Sequence, residues 1–310
     1  LHPPFIIMAS SGDVIYMILE VLIAVGCCAG NALVIWAVWM CGALKHATFC
    51  FIVSLAVADF LVGVVTVPVS MLVDIHVKTS FYSCLFMCCM VIVLQVASVA
   101  FLLAIAVDRC LRVCIPLRYK CTVTRKRSWM VVALCWIVST VLGCIPMFGW
   151  HNSLDGTTNS LMECSFLTAM PMSFLVNLIF FGTLLPPLAV MIGLYFHIFL
   201  VAKKQLRANV GISTESSTFY QKESKLAASL ALVLVLFAVC WLPLYLMHTV
   251  NFYSPKPIVS DKIVNIGVLL SHANSVVNPI VYAFKIPKIK KAYKKLWMSL
   301  SCGRKQQQAE

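Results

Sequence analysis

Seven stretches of the chain stay apolar much longer than a soluble core helix requires, and each ends at charged or polar residues. They cover 14–40, 48–73, 81–107, 128–150, 169–202, 226–250 and 262–284. A helix needs about 20 such residues to cross a bilayer. Barrel strands would alternate over segments of about 10 residues; these runs are longer and continuously apolar, so they predict helices. The expected fold is an all-α membrane protein, a seven-transmembrane helix bundle. A short amphipathic helix follows the seventh span, because Ile286, Ile289, Tyr293, Leu296, Trp297 and Leu300 recur at helical spacing with lysines between them. Such a helix suits an anionic membrane surface. The expected division is 1–284 for the bundle and 285–310 for the surface helix and tail.

Composition agrees with the pattern. Of 310 residues, 61% are hydrophobic and 11% charged, against about 25% charged in ordinary soluble domains. The mean hydropathy is +0.95. A net charge of +13 would suggest nucleic acid in a soluble protein, but the location of the charges excludes that reading. The gaps after spans one, three, five and seven hold 21 of the 24 Lys and Arg, while the other side has Lys78, Lys256 and Lys262. The positive-inside rule then puts the N-terminus outside and the C-terminus in the cytoplasm. No basic leader with a cleavage site and no Asn-x-Ser/Thr sequon is visible. No internal repeat appears, which weakens a transporter reading. The 15 cysteines follow neither a disulfide framework nor a metal-ligand spacing.

Polar residues inside the spans are expensive and face the bundle interior. Asp59 lies 11 residues beyond Thr48, near mid-membrane. Asn31, Ser98, Asn274 and Asn278 fall at the middle or inner half of their spans. Two readings stand: a small cation site for sodium on Asp59, Ser98, Asn274 and Asn278, or a hydrogen-bonded core around a neutral Asp. Glu20 and His272 lie at matching outer depth. They form either the polar floor of an external pocket or a structural interhelical bond. Cys84 and Cys164 are the two cysteines clearly on the oxidising side, either bridged or as free thiols. Pro68, Pro146, Pro187, Pro243 and Pro279 each permit a kink. Cys302, just past the amphipathic helix, is a candidate for palmitoylation or an unmodified thiol. No catalytic constellation or phosphate loop is present, so an enzyme is not expected.

Several motifs together resemble one family. Gly30-Asn31, Leu55-Ala-Val-Ala-Asp59, Asp108-Arg109-Cys110, Trp136, Cys240-Trp241-Leu242-Pro243 and Asn278-Pro279-Ile-Val-Tyr282 resemble class A, rhodopsin-like G protein-coupled receptors, in order across all seven spans. Within that class, Leu103-Ala-Ile-Ala-Val-Asp-Arg109, Pro116-Leu-Arg-Tyr-Lys, Pro146-Met-Phe-Gly-Trp150 and Ser271-His-Ala-Asn-Ser-Val-Val-Asn-Pro look like adenosine receptors. Phe81-Tyr-Ser-Cys-Leu-Phe-Met and Cys164-Ser-Phe-Leu167 are most like the A-three subtype.

The resemblance implies a plasma-membrane receptor for adenosine or a related purine nucleoside. It implies coupling to a heterotrimeric G protein of the inhibitory class, lowering cyclic AMP, with arrestin, receptor kinases and membrane lipid as further partners. It implies no nucleic acid partner and no cofactor beyond an allosteric sodium ion. Phe166 would stack on the adenine, Leu244 would pack its other face and Trp241 would form the floor. Ser271 and His272 would hold the ribose, with Glu20 behind His272; Val91, Ile92, Met172, Leu175 and Val268 would line the walls. Cys84 and Cys164 would pair. Asp108 and Glu223 would restrain Arg109, and Tyr195 and Tyr282 would swing inward on activation.

The chain also departs from the family pattern. His248 stands where the family has an Asn that pairs with adenine, Gln95 where span three usually has Thr, and Tyr245 where His or Ser is usual. Cys110 replaces the Tyr of Asp-Arg-Tyr. A diverged receptor for another small ligand is therefore the alternative, and a seven-helix transporter or pump a remote one.

Overall fold

The computed structural model describes residues 11–152, 161–208, 214–286, 289–294 and 298, with no side-chain detail for 11, 45, 120, 208 and 214–217. Seven long helices dominate: α1 (Ser11–Met40), α2 (Ala47–Asp74), α3 (Phe81–Cys114), α4 (Arg125–Gly143), α5 (Phe174–Arg207), α6 (Thr214–Tyr253) and α7 (Asp261–Lys285). All seven are long and apolar enough to span a membrane. Large apolar side chains such as Leu22, Val25, Trp39, Ile137, Val141, Phe196 and Val239 point outward. Water would penalise that surface; hydrocarbon accepts it.

Helices extend past the apolar runs because hydrophobicity sets the span, not the helix. α3 continues to Cys114, so Asp108 and Arg109 sit within its last turns rather than in a connecting gap. α6 begins well before its apolar run. Span four is shorter than expected: α4 ends at Gly143 and Pro146 opens a separate 3-10 turn, Ile145–Phe148. Two wide π-helical stretches precede prolines, Val62–Thr66 before Pro68 and Phe174–Leu184 before Pro186 and Pro187. A proline leaves a carbonyl one turn back without its donor, and the backbone relaxes there.

α3 is the central helix and packs on α2, α4, α5 and α6, while α1 closes against α2 and α7. Close approach rests on small residues. A Cβ at Gly143 would meet Val93 side chain and backbone at 2.6–2.9 Å, and one at Gly63 would meet Ala24, Cys27 and Cys28 of α1 at 2.8 Å. At one end of the bundle, β1 (Lys78–Thr79) pairs antiparallel with β2 (Met162–Glu163). Cys84 at the start of α3 bonds Cys164 just after β2, with Cα atoms 5.6 Å apart. At the other end, the Lys- and Arg-rich one, residues 289–294 form a helix. Ile289 and Ala292 are buried, Tyr293 is partly buried, and Lys290, Lys291 and Lys294 are exposed. Burial raises the Tyr293 phenol to about 12. Cys302 lies outside the described residues.

Gly143→Ala is expected to lower the thermal midpoint in detergent micelles, because the added methyl overpacks against backbone at a cost of about 1–3 kcal/mol. Gly193→Ala is expected to be neutral or stabilising, since nothing lies within 4 Å of its added Cβ.

Candidate functional site

A cavity of about 480 Å³ opens between the helices at the disulfide end. Its wall comes from Val91, Ile92 and Gln95 on α3, Leu175 on α5, Trp241, Leu244, Tyr245 and His248 on α6, and Val268, Ser271 and His272 on α7. Phe166 enters from the segment that follows the disulfide. That segment is locally fixed: Ser165 and Thr168 form a reciprocal capping box around the short helix Phe166–Ala169. Three carboxylates, Asp13, Asp74 and Asp261, also line the cavity, and no Lys or Arg does among the described residues.

Glu20 of α1 is fully buried behind His272. Its two oxygens lie 3.0 and 2.9 Å from His272 Nδ1. A carboxylate partner makes Nδ1 the donor, which leaves Nε2 as the free ring nitrogen. Ser271 Oγ donates to Val268 O at 2.7 Å. Tyr245 Oη donates to Gln95 Oε1 at 2.7 Å, so α6 and α3 are tied across the lower wall. The Tyr245 ring stacks on Phe180 at 5.5 Å and on Trp241 at 6.2 Å. His248 Nδ1 and Trp241 Nε1 are buried without a hydrogen-bond partner among the described residues.

Below the cavity, Asp59 is fully buried. Ser275 Oγ donates to its Oδ1 at 2.9 Å and Asn278 Nδ2 to its Oδ2 at 2.7 Å. Asn31 Nδ2 donates to Cys27 O and Ser275 O, both at 2.9 Å, joining α1 to α7. Ser98 Oγ donates back to Leu94 O at 3.1 Å. Asn274 Oδ1 is buried with no partner among the described residues. Ser98, Asn274 and Ser275 all reach the cavity, so this polar core is continuous with the space above it.

At the basic end, Arg109 is 2% exposed. It lies 2.6 Å from Asp108 on its own helix and 3.1 Å from Glu223 on α6. Thr48 of α2 hydrogen-bonds both Asp108 and Arg109. Arg112 meets the other Glu223 oxygen at 2.8 Å. Tyr119, in the short helix Pro116–Thr122, donates to Asp108 Oδ1 at 2.6 Å. Burial, the Asp108 charge and this hydrogen bond raise the Tyr119 phenol to about 12, so it remains a donor at neutral pH.

Comparison with known proteins fits this arrangement. The family model described as "7 transmembrane receptor (rhodopsin family)" matches residues 30–282. Adenosine receptor A3 of Ovis aries is 44% identical over 283 residues, 91% of this chain and 89% of the relative. Adenosine receptor A3 of Bos taurus is 44% identical over 92% of this chain and 90% of its own length. Adenosine receptor A2b of Gallus gallus is 40% identical over 93% and 89%. The chain belongs to the adenosine receptor family of rhodopsin-like receptors. It is accordingly a multi-pass membrane receptor and not an enzyme, with a G protein as its general class of partner.

In this receptor, most of the expected pocket residues meet around one cavity: Phe166, Leu244, Trp241, His248, Ser271, His272, Val91, Ile92, Gln95, Leu175 and Val268. Met172 does not line it; just ahead of α5, it packs against the apolar core. Glu20 sits behind the wall. Around Asp59 the structure brings in Asn278 and also Ser98, whose hydroxyl lies beside the carboxyl while donating back to Leu94 O within α3. Ser275 was not among the expected residues; it lies three residues before Asn278, one helical turn, which would have signalled it. Thr48, Tyr119 and Arg112 were also missed around Arg109, because each comes from a different local segment or turn. Tyr195 and Tyr282 are both buried, and Tyr282 Oη has no partner among the described residues.

Glu223→Gln removes the charge that ties α6 to Arg109 and Arg112. Ligand-independent G protein activation, read as basal GTPγS binding in membranes, is expected to rise about fivefold, the factor that about 1 kcal/mol of two-state bias carries. An unchanged basal rate in well-expressed variant would show that this tie does not hold the resting state.

Proposed function

We propose that this receptor sits in the plasma membrane with its N-terminus outside, binds adenosine in the cavity at the disulfide end, and activates a heterotrimeric G protein of the inhibitory class. The observation that carries the reading is the cavity itself. An aromatic face at Phe166, an apolar wall at Leu244 and a hydrogen-bonding group at His272 surround a volume within the ordinary range for small ligands, about 300–1,000 Å³. A purine stacks on the first two, and a ribose has hydroxyls for Ser271 and His272. Three carboxylates and no Lys or Arg in the described wall favour an uncharged nucleoside over a nucleotide, whose phosphates would need cations. Two of the relatives are named adenosine receptor A3, which supports the same ligand.

His248 and the Gln95–Tyr245 bond favour a second reading, a receptor tuned to a different small ligand. Neutral His offers one donor and one acceptor on separate nitrogens, where an Asn amide offers both on one plane. Adenosine, but not ATP, is expected to inhibit cyclic AMP formation in cells expressing the chain. His248→Asn is expected to increase adenosine potency about tenfold, the worth of about 1.4 kcal/mol. Silence in both forms, with surface expression shown, would remove adenosine and favour the second reading.

Arrestin and receptor kinases engage the basic end in this reading, and lipid headgroups meet its lysines. Palmitate on Cys302 would hold the tail to the membrane. A sodium ion is held by Asp59 with the oxygens of Ser98, Asn274 and Asn278; the buried, unpartnered Asn274 Oδ1 fits such a hard-cation donor set. Sodium then competes with the hydrogen bonds of Ser275 and Asn278 to Asp59. Agonist potency in the parent is expected to fall as sodium replaces a large organic cation at fixed ionic strength. Asp59→Asn is expected to abolish that dependence; retained dependence would sink the assignment.

A further inference from the structure

Where the family pattern has a tyrosine beside the switch arginine, this chain has Cys110, and the residue one helical turn on is Cys114. Their sulfurs lie 3.7 Å apart on one face of α3. His197 of α5 completes the group: one ring nitrogen and the two sulfurs all lie within 4.8 Å of one another. We propose that Cys110, Cys114 and His197 form a zinc site that bridges α3 and α5 at the basic end of the bundle.

The geometry carries the proposal. Tetrahedral zinc with Zn–S bonds of about 2.3 Å places its two sulfurs about 3.8 Å apart, and the observed separation matches. The spacing of four along a helix is what aims both thiols at one point. An imidazole from a second helix, within 4.8 Å of both sulfurs, then supplies a third ligand. Two thiolates and one imidazole are a soft donor set, which selects zinc over magnesium or calcium. Two thiolates also balance the charge of a divalent ion. The neighbouring cations do not oppose it: Arg109 is paired with Asp108 and Glu223, and Arg112 with Glu223. Cys110 is half-buried, whereas Cys114 and His197 are exposed.

The consequence concerns the switch. Cys110 adjoins Arg109, so an ion held there fixes the end of α3 against α5. Zinc is thus a ligand of the basic end, independent of whatever occupies the cavity, and the site stands whether or not adenosine is the agonist.

The test uses full-length receptor purified in micelles without chelator and titrated with Cd2+, a spectroscopic substitute for zinc. One Cd2+ per receptor is expected, with a near-ultraviolet thiolate-to-metal charge-transfer band that Zn2+ displaces. The Cys110→Ser, Cys114→Ser double variant should lose the band. His197→Ala should weaken Zn2+ binding at least about tenfold. Cys121→Ser and Cys302→Ser should leave both unchanged. Zn2+ should also raise the thermal midpoint of the parent and not that of the double variant. A band and stoichiometry that survive in the double variant would overturn the site. If that variant does not fold, His197→Ala at its exposed position decides alone, and unaltered Zn2+ affinity there rejects the proposal.

Discussion

A buried guanidinium that must be neutralised organises this receptor. Arg109 is almost wholly removed from solvent, and leaving one such charge unpaired costs several kcal/mol. Its two carboxylates come from different helices, Asp108 on α3 and Glu223 on α6. The position of α6 at the basic end is therefore dictated by a charge on α3. Thr48 brings α2 to the same cluster and Tyr119 brings the following turn. Four separate segments converge because one cation needs company. A buried ion pair adds little net stability over an apolar substitute, but it discriminates strongly between arrangements, which is what a two-state protein needs.

Three further links on α6 and α7 answer the inner one. Tyr245 bonds Gln95 across the cavity wall, so α6 is held to α3 near both ends of the membrane. His272 is committed to Glu20 and Asp59 to Ser275 and Asn278, so α7 is held to α1 and α2 by polar contacts buried in an apolar setting. In such surroundings a satisfied pair is firm and a half-satisfied one is costly. The cavity and the Asp59 core are thus one continuous polar region, joined through Ser98, Asn274 and Ser275.

The number of helices and the residues that face inward were legible in the sequence, because bilayer thickness fixes run length and buried polar groups stand out in apolar runs. Asp59 and Glu20 announced themselves in that way, whereas Arg109 falls past the third apolar run and was marked only by the resemblance of Asp108-Arg109-Cys110. The pairing of Glu20 with His272 was readable as matching depth. Helix ends were less so: α3 and α6 outrun their apolar segments, and no hydropathy signal marks helix that continues into water. Met172 packs against the apolar core while Leu175, three residues on, lines the cavity, and no feature of the sequence separates the two. Thr48 was invisible as a partner, since a hydroxyl is compatible with lipid-facing, self-bonded and bridging positions alike. The chemistry of Cys110 was read as a lost tyrosine; only the fold puts His197 next to it.

The length of α6 carries a mechanical consequence. The helix has 40 residues, about 60 Å at 1.5 Å per residue, twice the thickness of a bilayer core. Pro243, between the cavity-lining Trp241 and Leu244, is the weak point of its hydrogen-bond ladder. Glu223 lies 20 residues away, an arm of about 30 Å. A rotation of about 10° at the proline moves the carboxylate about 5 Å on that arm, more than enough to part it from Arg109. α6 is a lever: contacts near its fulcrum at Trp241 and Tyr245 need shift by only a fraction of an ångström, and the magnification is built into the number of residues below them.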